Sequence, residues 1–283
     1  MSNIPLKITN VGKVFDKKKR VISDINFNVN KGEVFGLIGL NGVGKTTLIK
    51  VILDLLQATE GGVEIFGVNS KKFESRKKLA YLPEKFVPSQ LLKGNEFLNL
   101  SLGYYDKKLD IKKAEAGADK LGLDPKVLTS RVGKYSKGMS QKLGLLGTFL
   151  TEAPLLILDE PMSGLDPRAR VQLKDYLLEY RGKDRTIFFS SHILSDIDEI
   201  CDRVGVIHGG GLKFIGTPKE MKQQFGDEIL ERAFLNCIDG KKTVAKKPVV
   251  AKKAVVKKKA PAKKTATKKA APKKAAPKKA KKS

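Results

Sequence analysis

The chain has 283 residues, 41% of them hydrophobic and 30% charged, with a formal net charge of +26 and two cysteines. Those values fit a globular protein with a sizeable core, and they exclude a collagen-like chain, a disulfide scaffold and a wholly disordered polymer. Trp is absent and aromatics are sparse, which argues against a recognition surface built on aromatic platforms.

The charge is unevenly placed. Residues 241–283 hold 19 Lys and no acidic residue, which leaves 37 basic against 30 acidic side chains in residues 1–240. Cys201, Cys237, His192 and His208 show no ligand spacing, so neither a disulfide framework nor a zinc site is expected and the compartment is read as reducing. No apolar run approaches the roughly 18 residues that span a bilayer, and Met1 leads into Ser-Asn-Ile-Pro rather than a basic, then apolar, leader. The expectation is a cytoplasmic protein whose membrane role, if any, needs a separate partner.

Residues 3–38 read as strands. Ile25, Phe27 and Val29 alternate with Asn26, Asn28 and Asn30, and Lys31-Gly32 marks a turn before the apolar run Val34 to Ile38. A glycine-rich loop follows, then a helical run expected over about 45–56. Residues 85–150 change character, with helical spacing and breaks at Pro88, Gly94, Pro125 and Gly133, and they read as a helical insert. Within it Met139, Leu143, Leu146 and Leu150 fall on one helical stripe. Strand character returns at Leu155 to Leu158 and at Thr186 to Phe189, with a helical stretch from Arg168 to Tyr180 between them. Buried strands alternating with helices predict a largely parallel α/β sheet. Beyond Gly240 the composition falls to Lys, Ala, Pro and Val, with Ala-Ala-Pro-Lys-Lys at 270–274 and again at 275–279, and a disordered tail over 241–283 is expected.

The loop Gly39-Leu40-Asn41-Gly42-Val43-Gly44-Lys45-Thr46 satisfies the phosphate-loop pattern, placed between a buried strand and a helix. Glycines there let successive backbone N–H groups wrap an anion, and the following helix adds its positive dipole end. Lys45 would reach the β and γ phosphates and the Thr46 hydroxyl would hold Mg²⁺. Asp159 ends a strand run at the carboxyl edge where open α/β sheets bind ligands, and Glu160 follows directly. Asp159 is read as an Mg²⁺ ligand through water and Glu160 as the group that polarises the attacking water. A strand end capped by exposed acids is the bland alternative.

Five motifs, taken in order, carry a resemblance: the phosphate loop, Tyr135-Ser136-Lys137-Gly138-Met139-Ser140-Gln141-Lys142, the run from Leu155 to Pro161, Ser163-Gly164-Leu165-Asp166, and Ser191-His192. In order and spacing the chain resembles ATP-binding cassette (ABC) ATPases over about residues 3–240. The closing segment Leu230 to Leu235 is similar to that of ABC-2-type exporter subunits. The resemblance implies a P-loop ABC cassette, with a RecA-like mixed sheet core, an antiparallel β subdomain and a helical insert. It implies ATP and Mg²⁺ as cofactors and ATP hydrolysis as the activity.

By the same resemblance Ser136 to Gly138 match the signature that caps the γ-phosphate bound to another protomer, although Ser136 is equally placed as a simple helix N-cap. Asp166 matches the loop that lines the dimer interface, His192 the histidine at the γ-phosphate, and Phe15 the aromatic that stacks on adenine. Asn41 and Thr47 complete the nucleotide-binding set with Gly39, Gly42 and Gly44. Glu84 stands where many relatives carry glutamine; it remains a candidate Mg²⁺ ligand, but it adds negative charge and cannot donate a hydrogen bond when ionised. Lys142 replaces a common arginine, a minor change.

The implied partners are a second cassette, as a homodimer or with a sibling subunit, and a transmembrane permease. Residues 85–90 are expected at the permease contact, with the cassette peripheral on the inner face of the cell membrane and the direction that of export. The competing expectation is a nucleic-acid- or ribosome-associated ABC ATPase, suggested by the tail, which resembles the Lys-Ala-Pro tails of linker histones and suits nucleic acid or an anionic membrane.

Overall fold

The computed structural model describes residues 4–15, 19–181 and 185–241. The expected tail lies outside the described residues from 242 onward.

Strands β1 (Leu6–Phe15) and β2 (Lys19–Val29) pair antiparallel, with Leu6 opposite Val29 and Ile8 opposite Phe27. The alternation read in the sequence is the alternation of burial: Ile25, Phe27 and Val29 are buried while Asn26 and Asn28 are exposed. Strands β4 (Glu60–Ile65) and β5 (Val68–Asn69) complete this sheet in the order β2-β1-β4-β5.

The second sheet is built on β3 (Val34–Ile38), with β6 (Leu79–Leu82), β7 (Leu155–Asp159), β8 (Thr186–Ser191), β9 (Arg203–His208) and β10 (Gly211–Gly216) in the order β10-β9-β3-β8-β7-β6. Every pair from β9 to β6 is parallel and β10 joins antiparallel. β3, β7 and β8 are buried at every position because helices of the 94–238 segment cover one face and the first sheet together with the helix at Lys45–Ile52 covers the other. Phe27 bridges the two sheets, stacking on Phe35 at 5.1 Å between ring centroids, and Phe35 stacks on Phe188 at 5.8 Å.

The helices are α1 (Lys45–Ile52), α2 (Phe73–Arg76), α3 (Gly94–Gly103), α4 (Ile111–Lys120), α5 (Lys137–Leu150), α6 (Pro167–Arg181), α7 (Leu194–Ile200), α8 (Pro218–Phe225) and α9 (Leu230–Ile238). The structure departs from three expectations. α1 ends at Ile52 rather than near 56, because Asp54 takes a left-handed backbone (φ 57°). The insert's helices begin only at Gly94, and residues 83–92 run without regular structure past Pro88. Along α5, Leu143 and Leu146 are fully buried, but burial spreads around the whole helix from Leu143 to Phe149 rather than along one stripe. A Cβ on Gly144 would come within 2.7 Å of the Phe86 ring, so the bare backbone there lets residue 86 lie against the helix.

Candidate functional site

The glycine loop joins the carboxyl end of β3 to the start of α1, so its amides and the helix dipole point at one cleft. Gly44 adopts φ 110°, and a Cβ there would stand 2.6 Å from Cγ2 of Ile22; a Cβ on Gly39 would stand 2.6 Å from the carbonyl oxygen of Ile207. Only glycine lets the loop close this tightly. The cleft holds about 270 Å³, lined by Asn41, Gly42, Lys45, Thr46, Glu84 and His192, with Gly44, Thr47 and Glu160 also at its wall.

Lys45 is buried at the loop's inner side, where Nζ donates to the carbonyl of Gly39 at 2.8 Å and stands 3.2 Å from Oε1 of Glu160. Glu160 follows β7 with a left-handed backbone (φ 49°), a conformation that costs a non-glycine residue about 1–3 kcal/mol. Its other oxygen, Oε2, is 2.8 Å from Nδ1 of His192 at the end of β8.

The parallel register sets Asp159 beside Ser190. The Ser190 hydroxyl donates to Oδ1 of Asp159 at 2.6 Å and accepts from the Glu160 N–H at 3.0 Å, fixing both acidic residues with one side chain. Sequence reading passes over Ser190; its signal is a hydroxyl at the end of an otherwise apolar buried strand.

Asp159 is buried, and its Oδ2 has no protein partner. The Tyr81 phenol is pushed up to about 12, first by burial and then by the negative charges of Asp159 and Glu84, so both carboxylates act on one region. Among the described residues no group of three His, Cys, Asp or Glu could cage an ion. The unpartnered Oδ2 of Asp159 and the carboxylate of Glu84, both felt by Tyr81, are the oxygen groups that could serve a hard cation, which would need further ligands from outside the protein.

The other expected residues lie outside the lining of this cleft. Phe15, at the end of β1, is about a third exposed, with Nζ of Lys13 at 5.1 Å from its ring centroid. Ser136 is exposed at the start of α5, and its hydroxyl accepts from the Met139 N–H at 3.2 Å, so the N-cap role read in the sequence is present. Gly138 sits against Gly164, which brings the 136–138 turn and the 163–166 loop to one patch. Asp166 is exposed there, accepts from the Ala169 N–H at 2.9 Å, and has its carboxyl held below the usual range chiefly by that bond. Lys142 donates to the Gly122 carbonyl at 2.8 Å, a bond that needs no guanidinium fork. A second cleft, of about 490 Å³, opens between Glu84 to Gln90 and the start of α5, and Val87 beside it is 80% exposed.

The ABC transporter family model matches residues 22–163, which contain the phosphate loop, the start of α5 and the Asp159-Glu160 pair. The chain belongs to the ABC transporter family. An ABC transporter ATP-binding protein of Synechocystis is 35% identical over 76% of this chain, which spans 62% of that relative's length. The bacitracin transport ATP-binding protein BcrA of Bacillus licheniformis is 38% identical over 75% of this chain and 69% of its own. A solved ATP-binding subunit of an ABC transporter superposes with a TM-score of 0.75 at 32% identity, covering 82% of this chain and 98% of that one. The protein has the P-loop ABC cassette fold and is an ATP-binding subunit and ATPase of this transporter family.

Proposed function

We propose that this ABC subunit uses ATP hydrolysis, in a dimer closed on nucleotide, to drive a separate membrane-spanning permease, in the direction of export. In this reading Lys45 binds the β and γ phosphates, Glu160 accepts a proton from the attacking water, and His192 holds Glu160 in place while facing the γ-phosphate. Phe15 stacks on adenine. Thr46, Asp159 and Glu84 would hold Mg²⁺, which when bound neutralises charge on the phosphates.

The observation that carries the dimer is the separation of Ser136, Gly138 and Asp166 from the lining of the phosphate cleft. They are gathered on an exposed patch that a second copy could bring over the nucleotide. The amide groups at the start of α5 then supply the donors and dipole that the open side of the cleft lacks. Glu160→Gln is the direct test: the full chain should elute as a dimer with ATP and as a monomer without it. Monomer under both conditions would defeat the reading.

For the permease, the support is the cleft beside residues 84–90 with its exposed apolar Val87 and Leu91. No described helix is long and apolar enough to cross a membrane, and in this reading a separate chain supplies the channel. A transport role is supported by the likeness to the bacitracin transport protein, and the export direction rests on the similarity of Leu230 to Leu235 to the closing segment of ABC-2-type exporter subunits. Val87→Glu with Leu91→Glu should abolish co-purification with the permease while leaving ATP binding intact; continued co-purification would exclude this face.

The tail supports a narrower second reading, in which residues 241–283 bind a polyanion through their 19 Lys. Deleting them should abolish salt-sensitive retention on DNA or anionic vesicles and leave ATPase activity unchanged. Loss of ATPase activity as well would favour a nucleic-acid-associated ATPase over the transporter reading.

A further inference from the structure

Lys174 is buried in α6 and takes part in none of the contacts of the phosphate cleft. Its ammonium donates to Oε2 of Glu199 and stands 3.4 Å from Oδ1 of Asp196, both on α7. Asp196 is buried too, and its Oδ2 has no partner. A buried ion pair is an inefficient way to hold two helices together, because desolvation offsets most of the attraction and an apolar side chain would pack there as well or better. A cluster kept at that cost, with one oxygen unsatisfied, points to a demand for a fixed geometry.

The helices that it joins are the two that continue from the partner-facing loop and from His192. α6 begins immediately after Asp166, whose carboxylate caps its first turn through the Ala169 N–H. α7 begins two residues after His192, and the link between them is pinned by the Ile193 N–H on the Ser191 hydroxyl at 3.0 Å. Lys174 thus bridges the Asp166 and His192 arms behind the site.

We propose that Lys174 is a positioning residue that ties α7 to α6, so that engagement of Asp166 by a second copy sets the placement of His192 against Glu160. The proposal rests on the assignment of His192 and Asp166 made above. A small displacement of a group that orients the base costs rate rather than affinity.

Steady-state ATPase kinetics of the full chain test it. Lys174→Met should lower kcat about ten- to a hundredfold with KM for ATP within about twofold. Lys174→Arg, which keeps the charge, should recover most of the rate. Because Lys174 acts through His192, adding Lys174→Met to His192→Ala should cause no loss beyond that of His192→Ala alone. Should Lys174→Met fail to fold, Glu199→Gln, on the exposed side of the cluster, carries the same cycle. Parental kcat in Lys174→Met, or a further loss of the same size in the His192→Ala background, overturns the proposal. Parental kcat in His192→Ala alone instead overturns the underlying site assignment.

Discussion

The ammonium of Lys45 stands 3.2 Å from the carboxylate of Glu160, and both side chains are buried. In the proposed mechanism the phosphate-binding group is thus paired with the water-activating group, and a bound phosphate would compete with Glu160 for the Lys45 ammonium. Replacing one member of a buried pair leaves the other charge uncompensated. Glu160→Gln should accordingly destabilise the nucleotide-free chain by on the order of 1–3 kcal/mol, since Gly39 still accepts a bond from Lys45. The freed Lys45 then favours phosphate, so ATP should raise the melting temperature of Glu160→Gln more than that of the parent. Thermal unfolding with and without ATP measures both; an equal ATP shift in the two proteins would mean that the pair does not restrain Lys45.

Removing the other partner has the opposite effect on affinity. Lys45→Ala deletes a charge-assisted contact worth roughly 1.5–3 kcal/mol, so affinity for magnesium-ATP should fall about ten- to a hundredfold. Glu160 keeps its contact with His192 at 2.8 Å, so the fold should survive. Equilibrium binding of a fluorescent ATP analogue is the measurement, and unchanged affinity would remove the glycine loop from nucleotide binding.

Two glycines of the loop separate backbone strain from steric closure. Gly42 and Gly44 both have positive φ, at 81° and 110°, but a Cβ on Gly42 meets nothing within 4 Å whereas one on Gly44 meets Ile22 at 2.6 Å. Gly42→Ala should cost about 1–2 kcal/mol from the backbone alone. Gly44→Ala adds overpacking against the first sheet, about 1–3 kcal/mol more. Urea denaturation should rank them in that order; equal midpoints would show that the loop relaxes away from Ile22.

What the sequence disclosed depended on the range of the interaction. Val34 to Ile38, the glycine loop and Leu155 to Asp159 were legible because each is a local pattern whose chemistry is complete within about ten residues. The end of α1 departs from its sequence pattern because the apolar residues continue to Leu56 while the backbone turns at Asp54. The β9–β10 hairpin turns through Gly209 and Gly210, both at positive φ, a hairpin signal that is weak without knowing which strands flank it. The contacts of Ser190 with the acidic pair and of Lys174 with α7 are not legible in the sequence, because their partners lie about 30 and 25 positions away and only the parallel register and the packing of α6 on α7 bring them together.

A pH-dependent contribution to stability lies at the opposite end of the parallel strands. Glu152 precedes β7 and Arg185 precedes β8, so both stand at the amino ends of parallel strands whose carboxyl ends carry the phosphate cleft. Glu152 receives Lys107 at 3.1 Å, Lys113 at 3.7 Å and Arg185 at 3.7 Å. Its carboxyl is held below the usual range, first by the hydrogen bond from Lys107, against burial, and then by the charges of Lys107, Lys113 and Arg185. A carboxyl whose pKa is lower folded than unfolded stabilises above the unfolded value of about 4.3, and that gain is lost as pH falls through the folded value. Because the side chain is 42% exposed, screening limits the effect, and Glu152→Gln should cost about 0.5 kcal/mol at neutral pH. The difference should shrink below about pH 4, and also in roughly 1 M salt, where the Debye length is about 3 Å. Urea midpoints of the parent and Glu152→Gln across pH and salt provide the measurement; a difference of the same size at every condition would assign the loss to packing rather than to charge.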